Sequence, residues 1–174
     1  ELKDEALVHK PSEFTSVATS AFRDAKNAKA YIESLNRELG LKIQIITQQE
    51  EGVLGFYAAR SKAADLDPQN SVVWDIGGGS QQLILQVEPS GRKQFLVYEG
   101  KVASTSFKKH VIEKIQKKSG DTPNPIKENQ VKSALVYAKD VATRTVKKEI
   151  KSAIASGYKV YGIGGVHNYS IKGQ

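Results

Sequence analysis

An α/β fold is what the sequence predicts, on three observations. Helical and strand-like periodicities alternate through the first 62 residues. Three apolar runs of strand length then follow one another across glycine-bearing turns, and a long helical stretch leads into a last strand that ends in Gly164-Gly165. The chain has 174 residues, 39% hydrophobic and 26% charged, enough for a packed core in one domain or two small ones.

In chain order, Val17-Ala18-Thr19 reads as a short strand. Residues 27–39 read as a helix, with Ile32, Leu35 and Leu39 on one face and Gly40 just past its end. Lys42 to Thr47 alternates as a strand. Glu50 to Lys62 supports a second helix whose apolar face is Val53, Leu54, Tyr57 and Ala58. The polar, proline-bearing residues 63–70 read as a hinge. Strands are expected at 72–76, 82–87 and 93–98, and the short connections Gly77-Gly78-Gly79-Ser80 and Pro89-Ser90-Gly91 suit antiparallel neighbours. A helix over 104–118 should bury Phe107, Val111, Ile112 and Ile115. After the loop at 122–125, Asn124 as cap and Pro125 as first residue predict one helix running to Ser156, with Val131, Leu135, Ala138, Val141, Ala142, Ile150 and Ile154 near one side. Tyr158 to Ile163 is the final strand.

Composition excludes some chemistry. There is no cysteine, hence no disulfide, thiolate metal site or cysteine nucleophile. No apolar run approaches the ~20 residues of a membrane helix, so a soluble protein is expected. The chain starts Glu1-Leu2-Lys3 and lacks methionine, and it is read as part of a longer gene product, with a cytoplasmic location expected. The net charge of +7 is uneven: residues 1–87 carry 9 basic against 12 acidic side chains, residues 88–174 carry 17 against 7. The basic half is either a set of solvated helix faces or a means of attracting a polyanion. No zinc-finger spacing, aromatic RNA-binding signature or helix-turn-helix accompanies it, so nucleic acid is not the expected partner.

Two strands end in glycine turns, at 77–80 and at 164–165. Such a turn is either a plain reversal or a cradle whose exposed N–H groups hold phosphate, with no Cβ in the way. Asp75, at the end of the strand before the first turn, offers the hard oxygen that Mg²⁺ prefers. Glu50 and Glu51 stand at a strand-to-helix junction. The helix dipole alone accounts for acids there, and a carboxylate beside a bound phosphate can also act as a general base. Arg23 either pairs locally with Asp24 or neutralises phosphate. His9, His110 and His167 lack zinc-motif spacing; the first two read as surface residues, and His167 follows the second turn, where ligand contact is open to it.

Val17-Ala18-Thr19-Ser20-Ala21-Phe22-Arg23-Asp24-Ala25-Lys26-Asn27, then Glu50-Glu51, then Asp75-Ile76-Gly77-Gly78-Gly79-Ser80, in this order and at these separations, resemble the exopolyphosphatase and guanosine pentaphosphate phosphohydrolase family. Gly162-Ile163-Gly164-Gly165 is similar to its second glycine turn, and the resemblance extends from about Ser16 to Asn168. It implies an actin-like architecture of the sugar kinase and actin superfamily, ribonuclease H-like, with mixed sheets in two lobes. Residues 1–62 would be the latter part of the first lobe, 63–70 the hinge and 71–174 the second lobe. It further implies Mg²⁺-assisted hydrolysis of a terminal phosphoryl group from inorganic polyphosphate or guanosine pentaphosphate, and a possible homodimer. Glu51 resembles the base that activates water, Asp75 the metal-associated acid, and Arg23 a phosphate-facing arginine. Gly77, Gly78, Gly79, Ser80, Gly164 and Gly165 resemble the phosphate cradle.

The chain departs from that family's pattern in three ways. Gln81-Gln82 stands where the family usually has Thr-Glu, removing a negative charge, and Gly52 stands where alanine usually follows the base. The family's first phosphate loop and its C-terminal helical part are absent, so the fragment by itself is expected to be inactive. The alternatives are a phosphate-binding regulatory member weakened in catalysis, and an actin-like ATPase or kinase.

Overall fold

The computed structural model describes residues 2–167; Asn168, at the far end of the resemblance, lies outside the described residues. The chain divides into two compact units, Glu1–Thr47 and Gln48–Gln174. The boundary differs from the hinge read at 63–70, which falls inside the second unit. That segment is anchored there. Leu66 is buried in a core cluster, the Tyr161 hydroxyl donates to Asp65 Oδ2 at 2.9 Å, and the Lys159 N–H donates to the Asn70 carbonyl at 3.0 Å.

The first unit holds α1 (Leu2–Leu7), β1 (Ser16–Ala18), α2 (Ser20–Asp24), α3 (Ala28–Leu39) and β2 (Ile43–Ile45). β1 and β2 pair in parallel, Val17 opposite Gln44. Gly40 ends α3 at φ 58°, its N–H donating to the Asn36 carbonyl, a left-handed cap that favours glycine. The Asn36 side chain then accepts from the Ile43 N–H at 2.7 Å and donates to the Ile43 carbonyl at 3.2 Å, fastening helix to strand.

The second unit is built on a four-stranded mixed sheet in the order β5 (Gln94–Gly100), β4 (Gln81–Val87), β3 (Ser71–Ile76), β6 (Lys159–Ile163). β3 to β4 and β4 to β5 are antiparallel, as their short turns require, and β6 lies parallel to β3. Alternate residues face opposite sides. Val73, Ile84 and Val97 pack under α4 (Gln48–Lys62) with Phe56 and Ala59, while Val72, Leu83, Leu85 and Tyr98 meet Ile150 and Ala153 on the other face.

Three expectations are corrected in this unit. α4 turns Gly52, Gly55, Phe56 and Ala59 to the sheet, leaving Leu54 and Tyr57 half exposed. Small residues let the helix axis come closer than the larger apolar stripe would allow. The helix expected from Pro125 starts at Glu128, where the Gln130 side chain reaches back to accept from the Lys127 N–H at 3.0 Å. The single helix to Ser156 is two, α6 (Glu128–Thr145) and α7 (Lys148–Ala155), separated by extended backbone at Val146 and Lys147. The break lets Ile150 enter the core completely. α6 by contrast buries no residue, and an apolar trough of about 940 Å³ lies between it and Trp74, Leu83 and Tyr98.

The expected helix at 104–118 is present as α5 (Ser104–His110), continued in π form over Val111–Ile115. No helix among the described residues is long and apolar enough to cross a membrane.

The Tyr98 hydroxyl hydrogen-bonds Thr145 Oγ1 at 2.7 Å, holding the end of α6 to the sheet. Tyr98→Phe is expected to cost about 1 kcal/mol, the net worth of one such bond, read as a lower urea midpoint at unchanged slope.

Candidate functional site

The site grows out of strand register. Asp75 in β3 lies directly opposite Gln82 in β4 and beside Ile163 in β6. Asp75 and Gln82 are each two residues from the α4-facing pair Val73 and Ile84, so both side chains leave the sheet toward α4. Because β3 and β6 run parallel, their glycine turns leave the same end of the sheet.

α4 brings the acid. Its start is pinned by Gln48, whose Nε2 donates to the Gly100 carbonyl at 3.3 Å and the Gln81 carbonyl at 3.5 Å. Close approach follows from Gly52, where a Cβ would come within 2.9 Å of Val97 Cγ1 and 3.1 Å of Ile84 Cγ1. At Gly55 a Cβ would stand 3.3 Å from Ile163 Cδ1 and 3.4 Å from Asp75 Oδ2, so the helix passes in contact with the carboxyl. Glu51 is thereby delivered to Gln82, whose Nε2 donates to Glu51 Oε2 at 3.3 Å and to Ser80 Oγ at 3.4 Å. Gln82 is 1% exposed. The departure from the family pattern at position 82 thus occupies the point where acid and turn meet.

Asp75 is partly buried. Burial pushes its carboxyl above the ordinary value of 3.8, and the negative charge of Glu51 pushes it the same way. A raised carboxyl binds its proton more tightly folded than unfolded, so its ionisation destabilises the protein as pH rises from 3.8 through the folded value. Asp75→Asn is therefore expected to raise the Tm at pH 7. The gain should close below about pH 4, where both states of the wild type are protonated. Thermal melts at the two pH values check it.

The turn at 77–80 is held by α5. The Ser104 N–H and Oγ donate to the Gly77 carbonyl at 3.2 and 2.9 Å, and the Thr105 N–H donates to the Gly78 carbonyl at 2.9 Å. One cradle assignment changes here: the Gly77 N–H closes the turn on the Ser80 carbonyl at 3.0 Å and has no hydrogen left to offer. Gly78 and Gly79 are exposed, and their amides have no acceptor among the described residues. Gly164 has φ +96°, and a Cβ on it would lie 2.5 Å from the Ile76 carbonyl oxygen and 3.2 Å from Asp75 Oδ1. The second turn therefore packs directly on the first strand end. Gly165 follows it as the start of a further helical turn.

Arg23 belongs to the first unit, where its Nη1 donates to the Ile46 carbonyl at 3.0 Å. His167 lies edge-on to Trp74, with ring centroids 5.1 Å apart, and its Nδ1 occupies the space over Gly162. His110 stacks on Tyr137 at 3.6 Å. Sequence reasoning noted Gly52 only as a departure from the family pattern and passed over Gly55, although two glycines three apart in a helix are a signal for close approach.

In comparisons with known proteins, the model of the Ppx/GppA phosphatase family matches residues 1–98. Among solved structures, the Aquifex aeolicus PPX-GPPA enzyme is 21% identical with a TM-score of 0.65, covering 94% of this chain and 48% of its own. An exopolyphosphatase from Cytophaga hutchinsonii is 19% identical with a TM-score of 0.67, covering 96% and 49%. An exopolyphosphatase-like protein is 24% identical with a TM-score of 0.65, covering 94% and 48%. The chain thus spans about half the length of these proteins and shares their actin-like α/β fold. The match over residues 1–98 takes in Arg23, Glu51, Asp75 and the first glycine turn, and with it the chain belongs to the Ppx/GppA phosphatase family.

Proposed function

We propose that the chain carries the water-activating and phosphate-holding parts of a phosphoanhydride hydrolase acting on the terminal phosphoryl group of inorganic polyphosphate or guanosine pentaphosphate. One juxtaposition supports this reading above all: Gln82 joins Glu51 to Ser80, at 3.3 and 3.4 Å, beside Asp75 and at the foot of a turn with two open amides. The Gly78 and Gly79 N–H groups and Ser80 hold phosphate oxygens. Glu51 accepts a proton from water as that water attacks phosphorus, the bridging P–O bond breaks, and the shortened phosphate chain departs. The basic surplus of residues 88–174 draws the anion in. Arg23 is assigned a phosphate-neutralising role on family resemblance.

Mg²⁺ suits the residues present. It is commonly held through one or two carboxylates together with substrate phosphates, and the Asp75 and Glu51 acids, whose charges repel, gain from a cation. When bound, it would neutralise charge on the phosphate oxygens, with Asp75 as its main protein ligand.

Phosphate release from both substrates and from ATP, with and without Mg²⁺, tests the proposal on the full-length protein. Release from polyphosphate or guanosine pentaphosphate well above that from ATP is expected; hydrolysis of ATP alone overturns it in favour of an actin-like ATPase. A second reading, binding without turnover, is favoured by one observation: the neutral Gln82 amide stands 3.3 Å from Glu51, where the family pattern has an acid. Bound polyphosphate with no phosphate released would establish it.

A further inference from the structure

We propose that Gln82 makes this site accept its divalent cation only as a metal–phosphate complex, and not as the free ion. The inference rests on the reading of Glu51, Asp75 and the glycine turn as a phosphate site.

The orientation of the Gln82 amide is set by its neighbours. An ionised carboxylate only accepts hydrogen bonds, so the face of the amide toward Glu51 Oε2 is the NH₂ group, and turning it over would set oxygen against oxygen. The side chain has little freedom to escape. It is 1% exposed on β4, an inner strand, with Asp75 opposite on one side and Glu99 opposite on the other. Between the acid and Ser80 the protein therefore presents N–H hydrogens, and these occupy a lone pair on Glu51 that a bare cation would use.

What Asp75 and Glu51 offer a free ion is two mutually repelling acids, one of them already accepting from Gln82. Mg²⁺ gives up its water reluctantly and is held weakly by so few protein oxygens. A phosphate chain supplies the missing ligands. Its oxygens lie on the open Gly78 and Gly79 amides while others remain bonded to the metal, so complex and site fit as a unit.

The probe is Mn²⁺, alone and with an equal concentration of tripolyphosphate, and equilibrium dialysis against the protein reads the excess of manganese and of phosphorus on the protein side. For the wild-type chain, free Mn²⁺ is expected to show no saturable binding, whereas Mn²⁺ with tripolyphosphate binds saturably. Gln82→Glu is expected to tighten binding of Mn²⁺ alone by at least about tenfold, with a Tm that rises on adding Mn²⁺ while the wild-type Tm does not. Wild-type binding of Mn²⁺ alone as tight as that of the variant, or saturable wild-type binding that Asp75→Asn removes, overturns the proposal and leaves the phosphate site standing. Failure of tripolyphosphate to bind with or without metal overturns the phosphate site itself. The wild-type comparison decides the question by itself if Gln82→Glu does not fold.

Discussion

Glu51→Gln is expected to lower phosphate release from polyphosphate or guanosine pentaphosphate by about 10²–10⁴-fold, the usual worth of a positioned general base. The substitution keeps size and shape. Its amide oxygen can still accept from Gln82 Nε2, which now sits 3.3 Å from Glu51 Oε2, so the start of α4 and the neighbouring turn stay in place. What is lost is the capacity to take a proton from water. The loss should accordingly fall on kcat with KM little changed, because the proposed reading gives the holding of phosphate to the turn amides and to a cation that would be bound with it, and not to Glu51. Steady-state kinetics of the full-length protein, beside a thermal melt showing the variant folded, check the split. Unchanged kcat would remove Glu51 from the mechanism and leave a binding site.

The second large effect is structural. Gly164→Ala is expected to destabilise the second unit by about 3 kcal/mol, from two penalties that add. At φ +96° an L side chain is strained, and its Cβ would stand 2.5 Å from the Ile76 carbonyl oxygen. Backbone cannot swing aside as a side chain can. Either β6 slides away from β3, loosening the pairing of Ile163 with Asp75, or the strand end carrying Asp75 moves. Chemical denaturation measures the loss. A useful contrast is Gly91, also at positive φ, where a Cβ meets nothing within 4 Å. Gly91→Ala is expected to cost only the backbone strain, about 1 kcal/mol.

Much of this molecule was legible locally. β3, β4 and β5 follow from short apolar runs, and their antiparallel pairing from turns too short to permit anything else. Gly40 marked the end of α3 because a left-handed residue there suits glycine. Residue types and spacing pointed to Asp75, the Glu50-Glu51 pair and the first glycine turn as candidates, and the choice of Glu51 within that pair came from the family resemblance.

The misreadings share a cause. The buried face of α4 was assigned to Val53, Leu54, Tyr57 and Ala58 because periodicity weighs large apolar side chains. The sheet instead selects Gly52, Gly55, Phe56 and Ala59, with Val53 packed beside them: one large ring among small residues that let the helix come close. The uninterrupted helix to Ser156 has a sound apolar repeat, and only the demand that Ile150 reach the sheet breaks it at Val146. Gly77 looks identical to its two neighbours in sequence, yet its amide is used within the turn.

The sequence by itself determined the strands, their turns, the chemical types available and the family to which they point, since each depends on residues close together along the chain. Tertiary structure alone decided that Gln82 stands between Glu51 and Ser80, and that Gly164 presses on the strand bearing Asp75. Those relations join residues 31 apart in the case of Gln82 and Glu51, and they exist only because cross-strand register and a close helix fix distances that no local periodicity encodes.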